Sequence, residues 1–199
     1  MSKFMIFLFV KFIILWVVTI NLVSASTLRG DICKDSSNPD ACRKTIERLK
    51  KEKEVDPNNT IRKIINFGLQ RSLILKTNMT DWARHGNLWA NELAAIKGCL
   101  DAVDVTVDDL RKTLKEVDEL ESAQKAQDMQ EFTFHSNNIK TWLQNAINAL
   151  QSCQDDDFAM PGLEGVVKQE ALKRVADLMI ATQLAIWTIE FPSRGSNKR

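Results

Sequence analysis

The residues best suited to covalent chemistry in this 199-residue chain are its four cysteines, Cys33, Cys42, Cys99 and Cys153. They show no CxxC spacing and no neighbouring histidine pair, so they do not form a metal-ligand pattern. No metal and no cofactor are expected. An even number of cysteines behind a secretory leader predicts two disulfides, with three possible connectivities. Cys33 and Cys42 flank a short turn at 35–40, which favours a local bridge and leaves Cys99 for Cys153. Chain-entropy reasoning assigns about 2.7 kcal/mol to the shorter loop and about 4.2 kcal/mol to the longer one.

The other candidate chemistry is sparse. His85 and His135 are the two histidines. Each falls near a predicted helix boundary, with no nucleophile or carboxylate motif that would make it a general base. Both read as surface or capping residues. The run Asp155-Asp156-Asp157 lacks the alternating oxygen ligands and turn glycine of a calcium loop. It reads as a solvated acidic loop. No Gly-rich phosphate loop, HExxH or GxSxG is present. No catalytic residue is assigned, and the chain is not expected to be an enzyme.

The start of the chain is a targeting element. Lys3 precedes an apolar run from Phe4 to Val23, interrupted by Lys11, and Val23 and Ala25 provide a small-residue cleavage pattern. Residues 1–25 therefore read as a signal peptide and the mature chain as one secreted domain. Removing Lys3 and Lys11 moves the formal charge from +1 to −1. That near-neutral balance predicts neither a nucleic acid nor a membrane partner after cleavage. Asn58 and Asn78 head sequons and are candidate glycosylation sites.

The elements that carry these residues are helical throughout. Trp89, Leu93, Ile96, Leu100, Val103, Val107, Leu110, Leu114 and Val117 recur in steps of four and three, one stripe of a helix over about 88–122. Ile61, Ile65, Gly68, Ser72, Leu75, Met79 and Trp82 form another over 57–83, with Asp56-Pro57 as cap and first residue. Ile139, Trp142, Leu143, Ala146, Ile147 and Leu150 line a shorter helix over 136–153, capped by Ser136 or Asn137. Leu172, Val175, Met179, Thr182, Ile186 and Ile189 mark a fourth over 163–190, ended by Pro192 before a frayed tail at 193–199. Breaks are expected at His85-Gly86-Asn87, over 123–130 and over 155–162. Ahead of the bundle, residues 26–55 form a helical hairpin, with a turn at 32–34 and a second arm from Asn38-Pro39 to Lys53. The expected architecture is all-α: an up-and-down four-helix bundle over 56–192 with an N-terminal helical hairpin and two disulfides.

The segments ICKDSSNPDAC, GCLDAVDVTVDDLRKTL, TWLQNAINALQSC and ADLMIATQLAIW resemble the plant invertase and pectin methylesterase inhibitor family. The resemblance spans essentially the whole mature chain. It departs in the absence of an aromatic residue beside Pro39, at Gln144-Asn145-Ala146 and at Ala181-Thr182-Gln183. It implies the four-helix fold, the pairs Cys33–Cys42 and Cys99–Cys153, and a glycoprotein of the apoplast and cell wall. It also implies a protein target: pectin methylesterase first, as the larger subgroup, and acid invertase as the alternative.

Inhibition would be exerted by a rigid helical face laid over the enzyme's substrate cleft. The outer faces of the second and third bundle helices are the expected contact surface. Lys140, Thr141 and Gln144 point away from the Ile139–Trp142–Ala146 seam and are the interface candidates. Trp82, Trp89, Trp142 and Trp187 read mostly as core, with one exposed tryptophan a possible hot spot. A competing class is a non-inhibitory secreted bundle, such as a ligand carrier, which would need a cavity that these apolar stripes are expected to fill.

Overall fold

Local capping chemistry sets the helix boundaries. Asn38 accepts a hydrogen bond from the Ala41 backbone N–H at 3.0 Å, and Pro39 occupies the first helical position of α1, Pro39–Val55. Asp56 then serves two helices. Its N–H donates to the Glu52 carbonyl that ends α1, and its carboxylate accepts from Asn59 N–H at 3.0 Å to open α2, Pro57–His85. The remaining helices are α3 (Ala90–Ala126), α4 (Met129–Ser152) and α5 (Val166–Glu190), with a π-helical turn at Cys153–Asp157 extending α4.

This computed structural model describes residues 33–34, 36, 38–159 and 165–190. The leader, Ile32 with most of the hairpin's first arm, the loop at 160–164, Pro192 and the tail lie outside them. The chain divides into two compact units, 1–34 and 35–199. Of the first, only the turn residues Cys33 and Lys34 are described, and Cys33 is buried.

In the larger unit α2 packs on α3 and α5, and α4 packs on the same two helices, closing an all-α ring of four. Short connections between neighbours make it an up-and-down bundle. Ile61, Ile65, Leu75, Met79, Ile96, Val103, Leu143, Leu150 and Val175 fill its interior. Polar side chains inside are satisfied locally. Ser72, Thr106, Thr113, Thr182 and Thr188 each donate to the carbonyl four residues back. No buried side-chain polar atom among the described residues lacks a partner. Gly68 brings α2 close to its neighbours: a Cβ there would stand 3.5 Å from Leu110 Cδ1 and 4.0 Å from Ala181 Cβ. No described cysteine is free. Cys99 is bonded to Cys153 with Cα atoms 4.6 Å apart, and Cys33 and Cys42 are each disulfide-bonded.

Two boundaries differ from the sequence reading. The break expected over 123–130 is only Gln127 and Asp128. Gln127 takes the left-handed conformation (φ 58°) that ends α3, and Asp128 immediately caps α4 by accepting from Gln130 and Glu131 N–H at 3.0 and 3.1 Å. Asp128, not Ser136 or Asn137, is therefore the cap, and α4 begins about two turns earlier than the expected start at 136. Asp128→Ala is expected to cost about 1 kcal/mol in urea unfolding. The second difference is Trp89. It precedes α3 as its cap residue, so it does not share the register of the buried stripe, and it is 78% exposed. The Glu92 side chain accepts from its backbone N–H at 2.8 Å.

The π-helical turn brings the Asp157 carboxylate over Gly98, where a Cβ would collide with it. Burial raises the Asp157 carboxyl above the ordinary aspartate range, and repulsion from Asp156 and Asp101 adds to the effect. The native fold thus holds this proton more tightly than the unfolded chain does. Stability must fall as pH rises through the ordinary aspartate range into the raised one. Asp157→Asn is expected to stabilise the fold at neutral pH by less than about 1 kcal/mol. The gain should vanish in acid below the aspartate range, and paired thermal melts at the two pH values would read it.

Candidate functional site

The helices α3 and α4 differ sharply in charge. Over Ala90–Ala126, α3 carries acidic and basic residues on nearly every turn, among them Asp101, Asp108, Arg111, Lys115 and Glu119. Over Met129–Ser152, α4 has Glu131, Lys140 and His135 as its only titratable side chains. Burial of Ile139, Leu143, Ala146, Ile147 and Leu150 turns one side of α4 inward. At 100° per residue the opposite ridge is Phe134, Asn137, Thr141 and Asn148. It is a face of amides and hydroxyls with one aromatic ring, and Phe134 is 56% exposed.

The interface candidates lie on or beside this ridge. Thr141 and Gln144 are exposed and Lys140 is half-buried. The Thr141 hydroxyl donates to the Asn137 carbonyl at 2.9 Å, and Gln144 Nε2 donates to Asn148 Oδ1 at 3.0 Å. Both side chains are held along the helix rather than extended into solvent.

Polar contacts tie one flank of α4 to α3. Glu116 Oε2 lies 2.7 Å from His135 Nδ1 and accepts from Asn138 Nδ2 at 3.2 Å. His135 Nε2 is 3.4 Å from Glu131 Oε2. About two turns along α4 from His135, Lys112 of α3 sits over the Trp142 ring, 4.5 Å from its centroid, and lies 3.0 Å from the buried carboxylate of Asp109. His135 is thus an interior residue of α4 that bridges two helices, not a boundary residue. His85 is the exposed last residue of α2. Among the described residues no group of three potential ligands is gathered for a metal ion. The arrangement offers a stiff, weakly charged surface.

A family model described as plant invertase/pectin methylesterase inhibitor matches residues 28–186. The chain belongs to this inhibitor family. Its proteins are inhibitors rather than enzymes.

Two curated relatives are similar at the sequence level. A "21 kDa protein" of Daucus carota is 26% identical over 154 residues, 77% of each chain. Pectinesterase inhibitor 11 of Arabidopsis thaliana is 26% identical over 167 residues, 84% of this chain and 78% of that one. A crystal structure of a pectin methylesterase inhibitor from Arabidopsis thaliana superposes with a TM-score of 0.57 at 12% identity, covering 82% of this chain and 94% of the other. That likeness establishes the shared fold.

Within this family fold the remaining candidates take definite places. Asn58 lies in the first turn of α2, where its Nδ2 donates to Gln124 Oε1 at 2.7 Å, and its sequon hydroxyl, Thr60, is buried and donates to the Asp56 carbonyl. Asn78 is half-buried on α2 beside the fully buried Met79. The sequence reading left open which tryptophan is exposed, and Trp89 gave no cap signal because tryptophan is not a capping residue type. The His135–Glu116 contact had no sequence signal, since the two are 19 residues apart on different helices.

Proposed function

We propose that this chain inhibits pectin methylesterase in the cell wall by laying the outer face of α3 and α4, with Thr141 near its centre, across the enzyme's substrate cleft. Lys140 and Gln144 flank that centre, and Phe134 supplies an aromatic anchor. The observation that carries the reading is the charge-poor ridge of α4. Interface cores are depleted in charged residues and enriched in aromatic ones. Neutral amides and hydroxyls lose less solvation on burial than the ion-laced surface of α3 would. The Glu116–His135 and Lys112–Trp142 contacts stiffen that face before docking, so little conformational freedom is lost on association.

The curated relative named as a pectinesterase inhibitor supports the choice of target. The decisive experiment titrates the purified secreted chain against pectin methylesterase and against acid invertase at apoplastic, mildly acidic pH. The expected result is stoichiometric loss of esterase activity with invertase untouched. Inhibition of invertase alone would overturn the choice of target.

A further inference from the structure

A second feature lies on a different side of the bundle from the α3–α4 face. The helix α1 packs on α2 without comparable contact to α5, and the space left among the three is a groove of about 620 Å³. That volume falls inside the range of small-molecule sites, about 300–1,000 Å³. Its floor is apolar: Leu49 from α1, Ile64 from α2, and Ile180, Ala181 and Leu184 from α5.

The rim is charged, and most of its charge is already engaged. Lys63 Nζ is 3.1 Å from one oxygen of Glu52, and Arg48 Nε is 3.7 Å from the other. The Asp177 carboxylate accepts from Ser36 Oγ at 2.7 Å. Arg71 is different. Its guanidinium lies over the half-exposed Phe67 ring, 5.1 Å from the centroid, and no carboxylate stands within ion-pair distance of it among the described residues. A guanidinium placed over a ring without a carboxylate partner keeps N–H groups available, and these match a carboxylate bidentately. Three cations and two carboxylates border the groove, so its mouth is net positive.

We propose that this groove binds a free amphipathic carboxylate, with its alkyl or aryl body on the Leu49–Ile64–Leu184 floor and its carboxylate on Arg71. One available planar fork selects a single monoanionic head group, and the apolar floor selects a hydrocarbon body rather than a sugar. The site draws on α1, α2 and α5 only, so occupancy need not interfere with a partner on α3 and α4.

The test is calorimetric titration of the intact secreted chain with sodium octanoate and, separately, with 1-octanol. Octanoate should bind at one site. Arg71→Gln should weaken octanoate about tenfold or more, as loss of a charge-assisted contact does, and should leave 1-octanol within about twofold. Ala41 is exposed on α1 and lines the groove. Ala41→Trp should therefore plug the site and abolish both titrations without lowering the melting temperature. Absence of saturable octanoate binding at millimolar concentration would overturn the proposal. So would octanoate binding that survives either substitution.

Discussion

Removing the Cys99–Cys153 bridge as the double variant Cys99→Ala/Cys153→Ala is expected to destabilise the fold by about 4 kcal/mol. The bridge closes a loop with a sequence separation of 54, so most of the effect arises in the unfolded chain, which gains the freedom the bridge denied it. Both cysteines are fully buried in the cluster that includes Ile96, Val103, Leu150 and Phe158, so the alanines also leave a small void there. A single domain is stable by only about 5–15 kcal/mol. The loss should therefore appear as a fall of roughly 8–16 °C in melting temperature. A thermal melt of the double variant within a degree or two of the parent chain would show that packing alone holds α3 to the end of α4.

The second large effect concerns docking rather than folding. Thr141→Glu is expected to reduce inhibition of pectin methylesterase by about two to nearly four orders of magnitude. A carboxylate buried at the centre of an interface without a partner costs on the order of 3–5 kcal/mol. The fold should not notice the change: Thr141 is exposed, its hydroxyl turns back onto the Asn137 carbonyl, and glutamate is the better helix former. Circular-dichroism melts should overlay. Lys173→Gln, at an exposed position of α5, shifts the net charge by the same single unit and should leave inhibition unchanged, as its helix forms no part of the proposed docking face. Equal loss of inhibition in both variants would show a general electrostatic effect and remove the α4 ridge from the mechanism.

The contrast between α3 and α4 explains why these two experiments separate cleanly. Stability draws on the buried stripes, the local caps and the bridge. In the proposed docking mode, recognition centres on α4, the helix of the α3–α4 face whose outer side carries few charges. The α2–α3 side is instead tied by Arg62, which pairs with Asp118 and, at 3.0 Å, with Glu121. The contact with Asp118 is the main cause that raises the Arg62 guanidinium further above its already high range. Such exposed ion pairs contribute little to stability and are screened by salt. A face built from them would be costly to desolvate against a partner.

Much of this molecule follows from short-range order along the chain. Apolar residues every three to four positions dictate helices whichever neighbours they meet, so α2, α3 and α5 were legible to within a few residues from Ile61–Met79, Ile96–Val117 and Leu172–Ile189. Asp56-Pro57 and Asn38-Pro39 are caps whose chemistry is complete within four residues, and each was readable for the same reason. The outward direction of Thr141 and Gln144 was legible too, because it is the complement of a buried stripe, whereas Lys140 lies at the half-buried edge of that stripe. The early start of α4 was not: its first turns lie at the end of the bundle, where Met129 and Phe134 stay exposed and leave no periodic signal.

Other features required the packed chain. Trp89 is outside the helical register because a cap, not a stripe, determines its direction. His135 meets Glu116, and Asp157 covers Gly98, only because different helices run side by side. The groove under α1 exists because α1 rests on α2 and leaves α5 uncovered. Periodicity and capping act over three or four residues and are written in the chain itself, whereas the pairing of side chains across helices depends on crossing angles and offsets that no local pattern encodes.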